Sequence, residues 1–561
     1  MPKATGKVGA TVTLSEMRKA IPEVLVVGAG PVGLTMAAEL ARHGVSCRII
    51  DRLAEPLPYC RAIGVTPRTL EVWDDMGIVQ PMIEAGLWLS GVRSFLNRSA
   101  AQDTLYESFD LPYGHLGVPQ PETERILTKH LATFGITVER SITLTSMRQD
   151  DHGVEVELLN AGNSIETAVF LYVVGCDGAH SAVRRLLEIP FEGDRFPFEF
   201  ILGDVLLDQH LPRGVVLRAI RPVENGPPDF LVAIPLPERN RFRVSALAPN
   251  NGSPRSESDH GLQSESPGPS IEELQVVADR LLPTKMVMTD MRWSSRFRIS
   301  MRLAARYREG RGFIAGDAAH IHPPTGGQGM NTGIQDAYNL AWKMALVVRG
   351  AASPDLLCSY EAERRPVGED VVSRTRTSSE QFGRRQTAQQ ERLTDTQVLI
   401  NYRAGSLTKE AVSESSGELV IRAGDRAPDC SGLLRENVRY SFRLFDVMRG
   451  VEHVLLTYVG RVAEPAYIQL IESMAKKLKA AGGPQCRFVI VCSPDAEKFD
   501  VVGATVIKDV AGEFVAAYSP AANTGYLIRP DGYIGHCGRP MTEHGVFDYI
   551  RTLSGLGAFG R

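Results

Sequence analysis

The chain has 561 residues, of which 43% are hydrophobic and 23% charged, and its formal net charge is −4 at pH 7. These are values of an ordinary globular protein, long enough for about three or four domains. The slightly acidic balance excludes the basic surface of a nucleic-acid-binding protein. No apolar run is long enough to span a membrane. Residues 1–20 are polar and lack the apolar core of a secretion signal, so we predict a disordered N-terminal extension.

The eight cysteines are scattered and form no C-x-x-C pair. This spacing excludes the usual zinc sites and dithiol redox motifs. It is typical of reduced thiols in a cytoplasmic protein, which is the location we expect. We predict no metal site.

A dinucleotide-binding pattern covers the first ordered stretch. An apolar strand, Val24–Val27, leads into the turn Gly28-Ala29-Gly30-Pro31-Val32-Gly33, and a helix and second strand follow, ending at Asp51. In a G-x-G-x-x-G turn the first glycine permits the tight bend, the second lets a pyrophosphate approach, and the third allows close helix packing. The helix start favours phosphate binding, and an acid about 20 residues further on suits ribose hydroxyls. We therefore predict a dinucleotide site, for FAD or NAD.

Beyond Asp51, helical and strand patterns alternate. The predicted elements are a loop at 53–64 containing Arg61, helices at 69–75 and 126–133, and strands at 136–139, 154–158 and 168–174. The last strand runs into Gly175-Cys176-Asp177-Gly178-Ala179-His180-Ser181, with Arg184 three residues later.

From Phe191 to Phe297 the pattern changes to short strands, including 230–234 and 241–246. Alternation of polar and apolar residues favours an antiparallel sheet with one covered face. Within this region, Asn250–Ser270 is rich in Ser, Pro, Gly and acids, and we predict a mobile insertion because it has little apolar area to bury.

A second glycine-rich motif follows the short strands. The chain reads Gly316-Asp317-Ala318-Ala319-His320, then Pro323-Pro324 and Gly326-Gly327-Gln328-Gly329-Met330-Asn331, and a helix is predicted from Met330 to Val348. The unpaired N–H groups at this helix start can face an electron-rich ligand edge. A helical run at 356–364 is expected to stop at Pro366, and the polar stretch 373–395 reads as exposed helix or linker.

After Gly424 the strand signals resume. Strands are predicted at 454–458 and 488–492, with a helix at 466–481 between them. A hairpin is predicted at 526–535 around Pro530-Asp531-Gly532, whose residues suit a turn. These patterns indicate a separate α/β domain.

The three motifs together resemble those of the class A flavoprotein monooxygenases, the aromatic hydroxylases related to p-hydroxybenzoate hydroxylase and phenol hydroxylase. Asp177 lies in their "DG" motif and Asp317 in their "GD" motif. The resemblance runs from Val24 to about Pro366. The tail from Gly424 resembles the thioredoxin-like domain of the phenol-hydroxylase and polyketide-hydroxylase branch. Since that tail has no C-x-x-C, packing or dimerisation is expected there rather than redox exchange.

The resemblance implies an α/β fold in several parts. These are an FAD-binding domain of glutathione-reductase type at 21–190 and 298–400, an inserted antiparallel-sheet substrate domain at 191–297, a linker at 401–423 and a thioredoxin-like domain at 424–561.

The resemblance also implies roles for individual residues. Asp51 would bind the adenosine ribose, Gln120 and Asp317 the ribityl or pyrophosphate portion, and Gly329 to Asn331 the isoalloxazine edge. Arg61 and Pro324 are the catalytic candidates beside the flavin, and Asp177 and Arg184 would contact FAD and the nicotinamide cofactor. The full predicted cofactor set is Gly28, Gly30, Pro31, Val32, Gly33, Asp51, Arg52, Arg61, Gln120, Asp177, Arg184, Gly316, Asp317, Pro324, Gly327, Gly329, Met330 and Asn331.

Several of these residues have simpler interpretations. Asp177 and Asp317 could cap turns, because Asp favours such positions, and Arg61 could be a surface arginine. His320 and His322 are interpreted as structural rather than acid–base groups, as neither has an assigned partner. Tyr113 and His115 are weaker candidates for the substrate side, suggested by position alone.

The implied reaction is hydroxylation of a phenol or related aromatic molecule with O₂ and NADPH or NADH, through a flavin C4a-hydroperoxide. A single G-x-G-x-x-G disfavours enzymes with two dinucleotide domains. The alternatives are another FAD-dependent oxidase, dehydrogenase or halogenase on the same scaffold, or a non-catalytic flavin-binding protein. The four tryptophans form no W-x-W pair, which argues against a halogenase.

Overall fold

The computed structural model describes residues 22–58, 62–106, 111–208, 211–223, 228–248, 268–323, 327–380, 389–412, 419–481 and 484–554. The predicted extension at 1–20, Arg61, Pro324 and most of the predicted insertion (250–267) lie outside these ranges. Within them, none of the helices has the length and apolar character to cross a membrane. The same part of the chain contains no cluster of three or more His, Cys, Asp or Glu residues suited to a metal ion.

A six-stranded sheet forms the centre of the first domain. Its strands lie side by side in the order Arg308–Glu309, Gly312–Ile314, Tyr172–Gly175, Val24–Val27, Cys47–Asp51 and Glu139–Arg140. All neighbouring pairs are parallel except the first. The strand Val24–Val27 is buried along its whole length, because an all-apolar strand fits the middle of a parallel sheet covered on both faces.

Helices and two small sheets complete this domain. We call Pro31–Arg42 the fingerprint helix and Gln328–Val348 the central helix; the two pack against each other. The other helices are Pro67–Asp75, Val79–Ala85, Gln120–Ala132, Ala182–Leu186, Cys358–Glu380 and Gln389–Asp395, with 3₁₀ turns at Gly316–Ala318 and Pro354–Leu357. The small sheets contain Ile165–Phe170, Val154–Leu159 and Thr143–Gln149, and Gly64–Val65, Leu116–Gly117 and Leu87–Trp88.

A large sheet of eight strands forms the second part of the molecule. Its spatial order is His320–Ile321, Met288–Ala304, Phe191–Leu207, Arg241–Leu247, Asp229–Pro235, Val215–Arg221, Gly91–Leu96 and Gln102–Leu105. The helix Ile271–Leu281 covers one face and begins with a capping box between Ser270 and Glu273.

This large sheet is not the purely antiparallel insertion predicted for 191–297. The strand Gly91–Leu96 joins it from the first domain and pairs in parallel with Val215–Arg221, while His320–Ile321 is added at the other edge. Gly91–Leu96 pairs with a strand more than 100 residues away, and such a pairing leaves no local sequence pattern, which is why the prediction missed it.

The C-terminal part contains a seven-stranded sheet. In spatial order its strands are Lys409–Val412, Ile534–Arg539, Thr524–Ile528, His453–Gly460, Cys486–Cys492, Ala504–Asp509 and Leu433–Leu434, and its helices are Leu444–Met448, Pro465–Ala481, Glu513–Tyr518 and Glu543–Ser554. The hairpin around Pro530-Asp531-Gly532 is present, with Gly532 at φ 77°. The edge strand Lys409–Val412 comes from the segment 401–423 that was predicted to be a linker.

The helix that was expected to stop at Pro366 continues instead from Cys358 to Glu380. Proline removes one helical hydrogen bond and usually ends or bends a helix. Here tertiary contacts hold both halves of the helix: Glu361 accepts a hydrogen bond from the Tyr307 amide at 2.7 Å, and Val371 is fully buried beyond the proline. Packing therefore outweighs the local preference.

Candidate active site

The fingerprint turn and the loop of Asp177 meet at Gly28. This residue has φ +100°, and a Cβ on it would lie 2.5 Å from the carbonyl oxygen of Cys176 and 2.8 Å from the Cα of Asp177. A Cβ on Gly33 would overlap the carbonyl oxygen of Gly28. Only glycine therefore fits at these two positions, and the two predicted motifs lie in direct contact.

The helix start beside this contact is open. Gly30 precedes the fingerprint helix without a side-chain cap, Pro31 takes the first helical position, and a Cβ on Gly30 would meet nothing within 4 Å. Uncapped N–H groups at the positive end of a helix form an anion site. The open space at Gly30 thus fits the pyrophosphate of a dinucleotide.

The third motif reaches the same helix through Val32. A Cβ on Gly316, which has φ +62°, would lie 2.8 Å from Cγ2 of Val32. A Cβ on Gly333 of the central helix would lie 2.7 Å from the same atom. The side chain of Val32 thus fills the space that these two glycines leave, and all three sequence motifs meet around the start of the fingerprint helix.

Arg184 joins the second motif to the third. Its buried guanidinium donates to the carbonyl oxygens of Ala318 and Ala179, both at 2.8 Å, and lies over the ring of Phe191. Burial lowers the pKa of Arg184 to about 10. Because these donors bind the main chain, Arg184 holds the two loops together.

Asp177 has one engaged carboxylate oxygen and one unpartnered oxygen. Oδ2 accepts hydrogen bonds from the amides of Ala182 and Val183 at 2.6 and 3.3 Å, so the turn-capping interpretation describes a contact that exists. Oδ1 is buried and has no hydrogen-bond partner among the described residues. Burial also raises the pKa of Asp177. An unpartnered acceptor in this cleft fits a ligand hydroxyl.

The carboxylate of Asp51 binds main-chain N–H groups at the fingerprint turn and in the loop after its own strand. Its Oδ2 accepts from the Ala29 amide at 2.7 Å and its Oδ1 from the Leu53 amide at 2.8 Å. Each oxygen retains a lone pair for a further donor. Arg52 beside it has an exposed side chain, and Asp317 on the 3₁₀ turn is also exposed.

The start of the central helix is held by Asn331. Its Oδ1 accepts from the Thr66 amide at 3.0 Å, and its Nδ2 donates to the carbonyl oxygens of Gly64 and Gly327 at 2.9 and 2.6 Å. Gly327, at φ 67°, precedes the helix without a side-chain cap. Gly329 and Met330 are half-buried in the first turn. The side chain of Asn331 is therefore occupied by the protein.

Gln120 lies at the first position of its helix. Its main-chain N–H donates to the carbonyl oxygen of Ala62 at 3.1 Å, and its side-chain Nε2 donates to Glu124 at 2.8 Å. The helix starts six residues earlier than the pattern at 126–133 predicted.

A buried charge network lies behind the third motif. His320 donates from Nε2 to Oδ2 of Asp336 at 2.7 Å, and Arg364 donates to Oδ1 at 2.7 Å. The Gly316 amide also donates to Asp336, at 3.1 Å. Burial opposes ionisation of Asp336, but Arg364 and His320 hold its pKa below the usual value. Sequence reasoning missed Asp336 and Arg364; an acid within an apolar helix was the available signal.

The two histidines of the motif have different surroundings. His320 belongs to this network and pairs with Asp336, a partner that the sequence did not reveal. His322 donates from Nδ1 to the carbonyl oxygen of Pro323 at 2.8 Å, and burial lowers its pKa to about 4. His322 is therefore neutral near pH 7.

Tyr113 was suggested as a substrate-side group by position alone, and its hydroxyl is engaged by other side chains. Its hydroxyl donates to Asp74 at 2.8 Å and lies 3.4 Å from a guanidinium nitrogen of Arg443. Tyr113 thus lies at the contact with the C-terminal domain. His115 is near the large sheet, with its ring 5.7 Å from that of Tyr106.

Known proteins are similar to this chain in both sequence and fold. A family model described as FAD binding domain matches residues 22–375. The chain is 33% identical over 545 residues to a flavin-dependent monooxygenase of Mycobacteroides abscessus, covering 94% of this chain and 99% of that protein. It is 31% identical over 548 residues to the 12-dehydrotetracycline 5-monooxygenase/anhydrotetracycline 6-monooxygenase of Streptomyces rimosus, covering 95% and 99%.

A solved structure has the same architecture. The flavin-dependent monooxygenase PieE, crystallised with FAD and substrate, matches with a TM-score of 0.76 over 95% of this chain and 99% of that one, at 21% identity. The cleft at Gly28, Gly30 and Asp177 also fits the family's cofactor. The chain therefore belongs to the FAD-binding family of flavin-dependent monooxygenases, as the three motifs predicted.

Proposed function

We propose that this protein hydroxylates a phenol-like aromatic small molecule, using FAD, O₂ and NADPH or NADH. The observation that carries the proposal is the convergence of Gly28, Asp177 and Gly316 on one cleft with an open helix start. Bound FAD supplies the activation of oxygen. The protein must hold the cofactor, orient the aromatic ring and exclude water.

The cofactor would lie across the three motifs. The pyrophosphate would bind at Gly30 and the first turn of the fingerprint helix, and the adenosine ribose at Asp51, whose oxygens retain lone pairs. Asp177, through its unpartnered Oδ1, and Asp317 would receive hydroxyls of the ribityl chain. The main chain of Gly329, Met330 and Asn331 would face the isoalloxazine edge, and Gln120 would contact the ribityl or pyrophosphate portion.

The substrate would bind between the cofactor and the large sheet. The sheet face that carries Phe200, Phe230 and Phe297 packs towards Val372 of the helix Cys358–Glu380. Aromatic side chains provide an apolar wall for an aromatic ring and keep water away from the reacting flavin.

The C-terminal domain is proposed to be thioredoxin-like and to act in packing. Its central strands alternate with helices and end in an antiparallel pair, a connectivity that suits this fold. Cys430, Cys492 and Cys537 are buried thiols, and burial raises the pKa of each. A raised pKa disfavours the reactive thiolate.

The test begins with the purified protein, which should be yellow and release FAD on denaturation. A panel of phenols should accelerate NADPH or NADH oxidation, and oxygen from ¹⁸O₂ should enter the product. Hydrogen peroxide without labelled product would indicate an oxidase instead. Failure of both nicotinamides to reduce bound FAD would indicate a non-catalytic flavin-binding protein.

A further inference from the structure

Arg218 lies on the face of the large sheet that is turned away from its covering helix. The residues on either side of it in the strand, Leu217 and Ala219, are fully buried in the cluster that packs against Ile271–Leu281. Successive side chains of a strand point to opposite faces. Arg218 therefore lies on the other face, the one on which the substrate is proposed to bind.

Register gives the neighbours of Arg218 on this face. A row of paired residues crosses the sheet in the order Ser94, Arg218, Val232, Ser245, Leu202 and Ser295. The adjacent row includes Ile220 paired with Phe230, and Phe200 paired with Phe297. Directly paired residues share a face. Arg218 is thus the one cation in its row, beside small polar, aliphatic and aromatic side chains.

Within the described part of the chain, the side chain of Arg218 makes no hydrogen bond or ion pair; it is half-buried, and its Nε is buried without a partner. Burial lowers its pKa, opposed only by the electrostatic effect of Tyr106. Arg243 on the same sheet differs, because it binds Asp204 through a two-point ion pair at 2.7 and 2.8 Å. A half-buried guanidinium with no counterion on the protein keeps its charge available for an anionic ligand.

The surroundings connect Arg218 to the start of the central helix. Tyr106 interacts electrostatically with Arg218 and also with Asp395 and Arg392 of the helix Gln389–Asp395. The carbonyl oxygen of Asp395 accepts a hydrogen bond from Nε2 of Gln328, the first residue of the central helix, at 3.1 Å. Burial lowers the pKa of His115, whose ring lies 5.7 Å from that of Tyr106, to about 4, so this histidine is neutral near pH 7.

We propose that Arg218 is the anion-binding residue of the substrate pocket and that the substrate binds through an ionised phenolic or enolic oxygen. This inference rests on the proposed hydroxylase function. The guanidinium donates charge-assisted hydrogen bonds to that oxygen. The substrate loses its phenolic or enolic proton to solvent before it binds. The ring of the resulting anion is more electron-rich than that of the neutral molecule, so the anion is the form that accepts an electrophilic oxygen.

The test compares hydroxyanthraquinones with their methyl ethers as ligands of the FAD-loaded protein. Wild type should bind the hydroxy compound tighter than its ether, and the absorption spectrum of the bound dye should be that of the anion at a pH where the free dye is neutral. In R218Q the ratio of the affinity for the hydroxy compound to the affinity for its ether should fall by about 10- to 100-fold, because a charged hydrogen bond is lost. R218K should restore part of it, since the charge returns without the planar fork.

R221Q is the matched control. Arg221 lies on the same strand with a half-exposed side chain paired to Asp229, so this variant should keep the wild-type preference and spectrum. A wild-type protein that binds phenol and ether equally, or an R218Q protein that retains the preference, overturns the proposal. FAD content and its reduction by NADPH, measured in every sample, separate this failure from failure of the proposed function.

Discussion

Arg529 donates two hydrogen bonds to the carboxylate of Glu363, at 2.7 and 2.8 Å, and so joins the C-terminal domain to the helix Cys358–Glu380. Both side chains are almost completely buried. Arg529 also pairs with Asp531 in the hairpin turn, and Lys343 of the central helix donates to Glu363 at 2.8 Å. Two buried cations thus face two buried carboxylates.

The network reaches the helix that begins at the cofactor cleft. Asp531 accepts hydrogen bonds from Trp342 at 3.0 Å and Asn339 at 3.2 Å, both on the central helix. The main-chain oxygen of Asp531 accepts from Arg68 at 2.7 Å. The hairpin turn of one domain is therefore part of the interior of the other, which supports a packing role for the C-terminal domain.

Removing one cation from this network should be strongly destabilising. In R529M, Glu363 and Asp531 remain buried with one cation fewer, and we expect unfolding free energy to fall by about 3–5 kcal/mol. Urea unfolding followed by circular dichroism and by tryptophan fluorescence measures the change.

The control is R403M, which removes a salt bridge to Asp425 whose arginine is half exposed. Such a pair contributes about 0–1 kcal/mol. An equal fall in unfolding free energy in R529M and R403M would contradict the stabilising role of the buried network.

Gly28→Ala should abolish cofactor retention. The new Cβ would lie 2.5 Å from the Cys176 carbonyl oxygen, so the turn and the Asp177 loop must separate. We expect the flavin-to-protein ratio after purification to fall by at least about tenfold, since a shift of this size removes several cofactor contacts. Gly44→Ala is the control, because Gly44 also has positive φ but nothing lies within 4 Å of its Cβ position. Its strain should cost about 1–2 kcal/mol and leave the flavin bound.

Asn331→Ala should weaken FAD binding through the start of the central helix. The Thr66 amide and the carbonyl oxygens of Gly64 and Gly327 lose their side-chain partner. Each buried group left without a partner costs about 1–3 kcal/mol. The dissociation constant from quenching of flavin fluorescence should rise, whereas Asn401→Ala, at an exposed position, should match wild type. An unchanged constant for Asn331→Ala would show that this anchor does not position the cofactor site.

Stability should fall in acid because of His453. Burial lowers its pKa from 6.5 to about 3, so below pH 6.5 the unfolded chain takes up a proton that the folded protein does not. The folded state is therefore progressively disfavoured as pH falls from about 6.5 towards 3, by about 1.4 kcal/mol per pH unit. Glu39, with its pKa raised to about 7 by burial, has the opposite effect, since its folded form holds a proton up to that pH.

His453→Phe isolates this contribution while keeping a ring against Trp342. Between pH 7 and pH 5 the variant should gain about 2 kcal/mol relative to wild type. Urea unfolding of both proteins at the two pH values measures the difference. If the unfolding free energy of both proteins falls equally between pH 7 and pH 5, His453 is ruled out as a source of acid sensitivity.

Sequence alone determined the three motifs and the hairpin around Pro530-Asp531-Gly532, because each depends on residues close together in the chain. Gly28 and Gly33 are required by a turn of six residues, and Asp531 and Gly532 by a turn of four, so their spacing carries the information. That these motifs meet at one cleft followed from a family resemblance, and the contacts of Gly28 with Cys176 and of Gly316 with Val32 now give the physical reason.

Tertiary structure alone decided the contacts between distant segments. Tyr113 binds Asp74 at a domain contact, the helix through Pro366 continues because both halves are packed, and Asp336 finds Arg364 and His320 in the interior. The face on which Arg218 lies depends on strand register across the large sheet. Ion pairs and strand pairings across many residues depend on distance in space rather than on local pattern, so a single sequence leaves them undetermined.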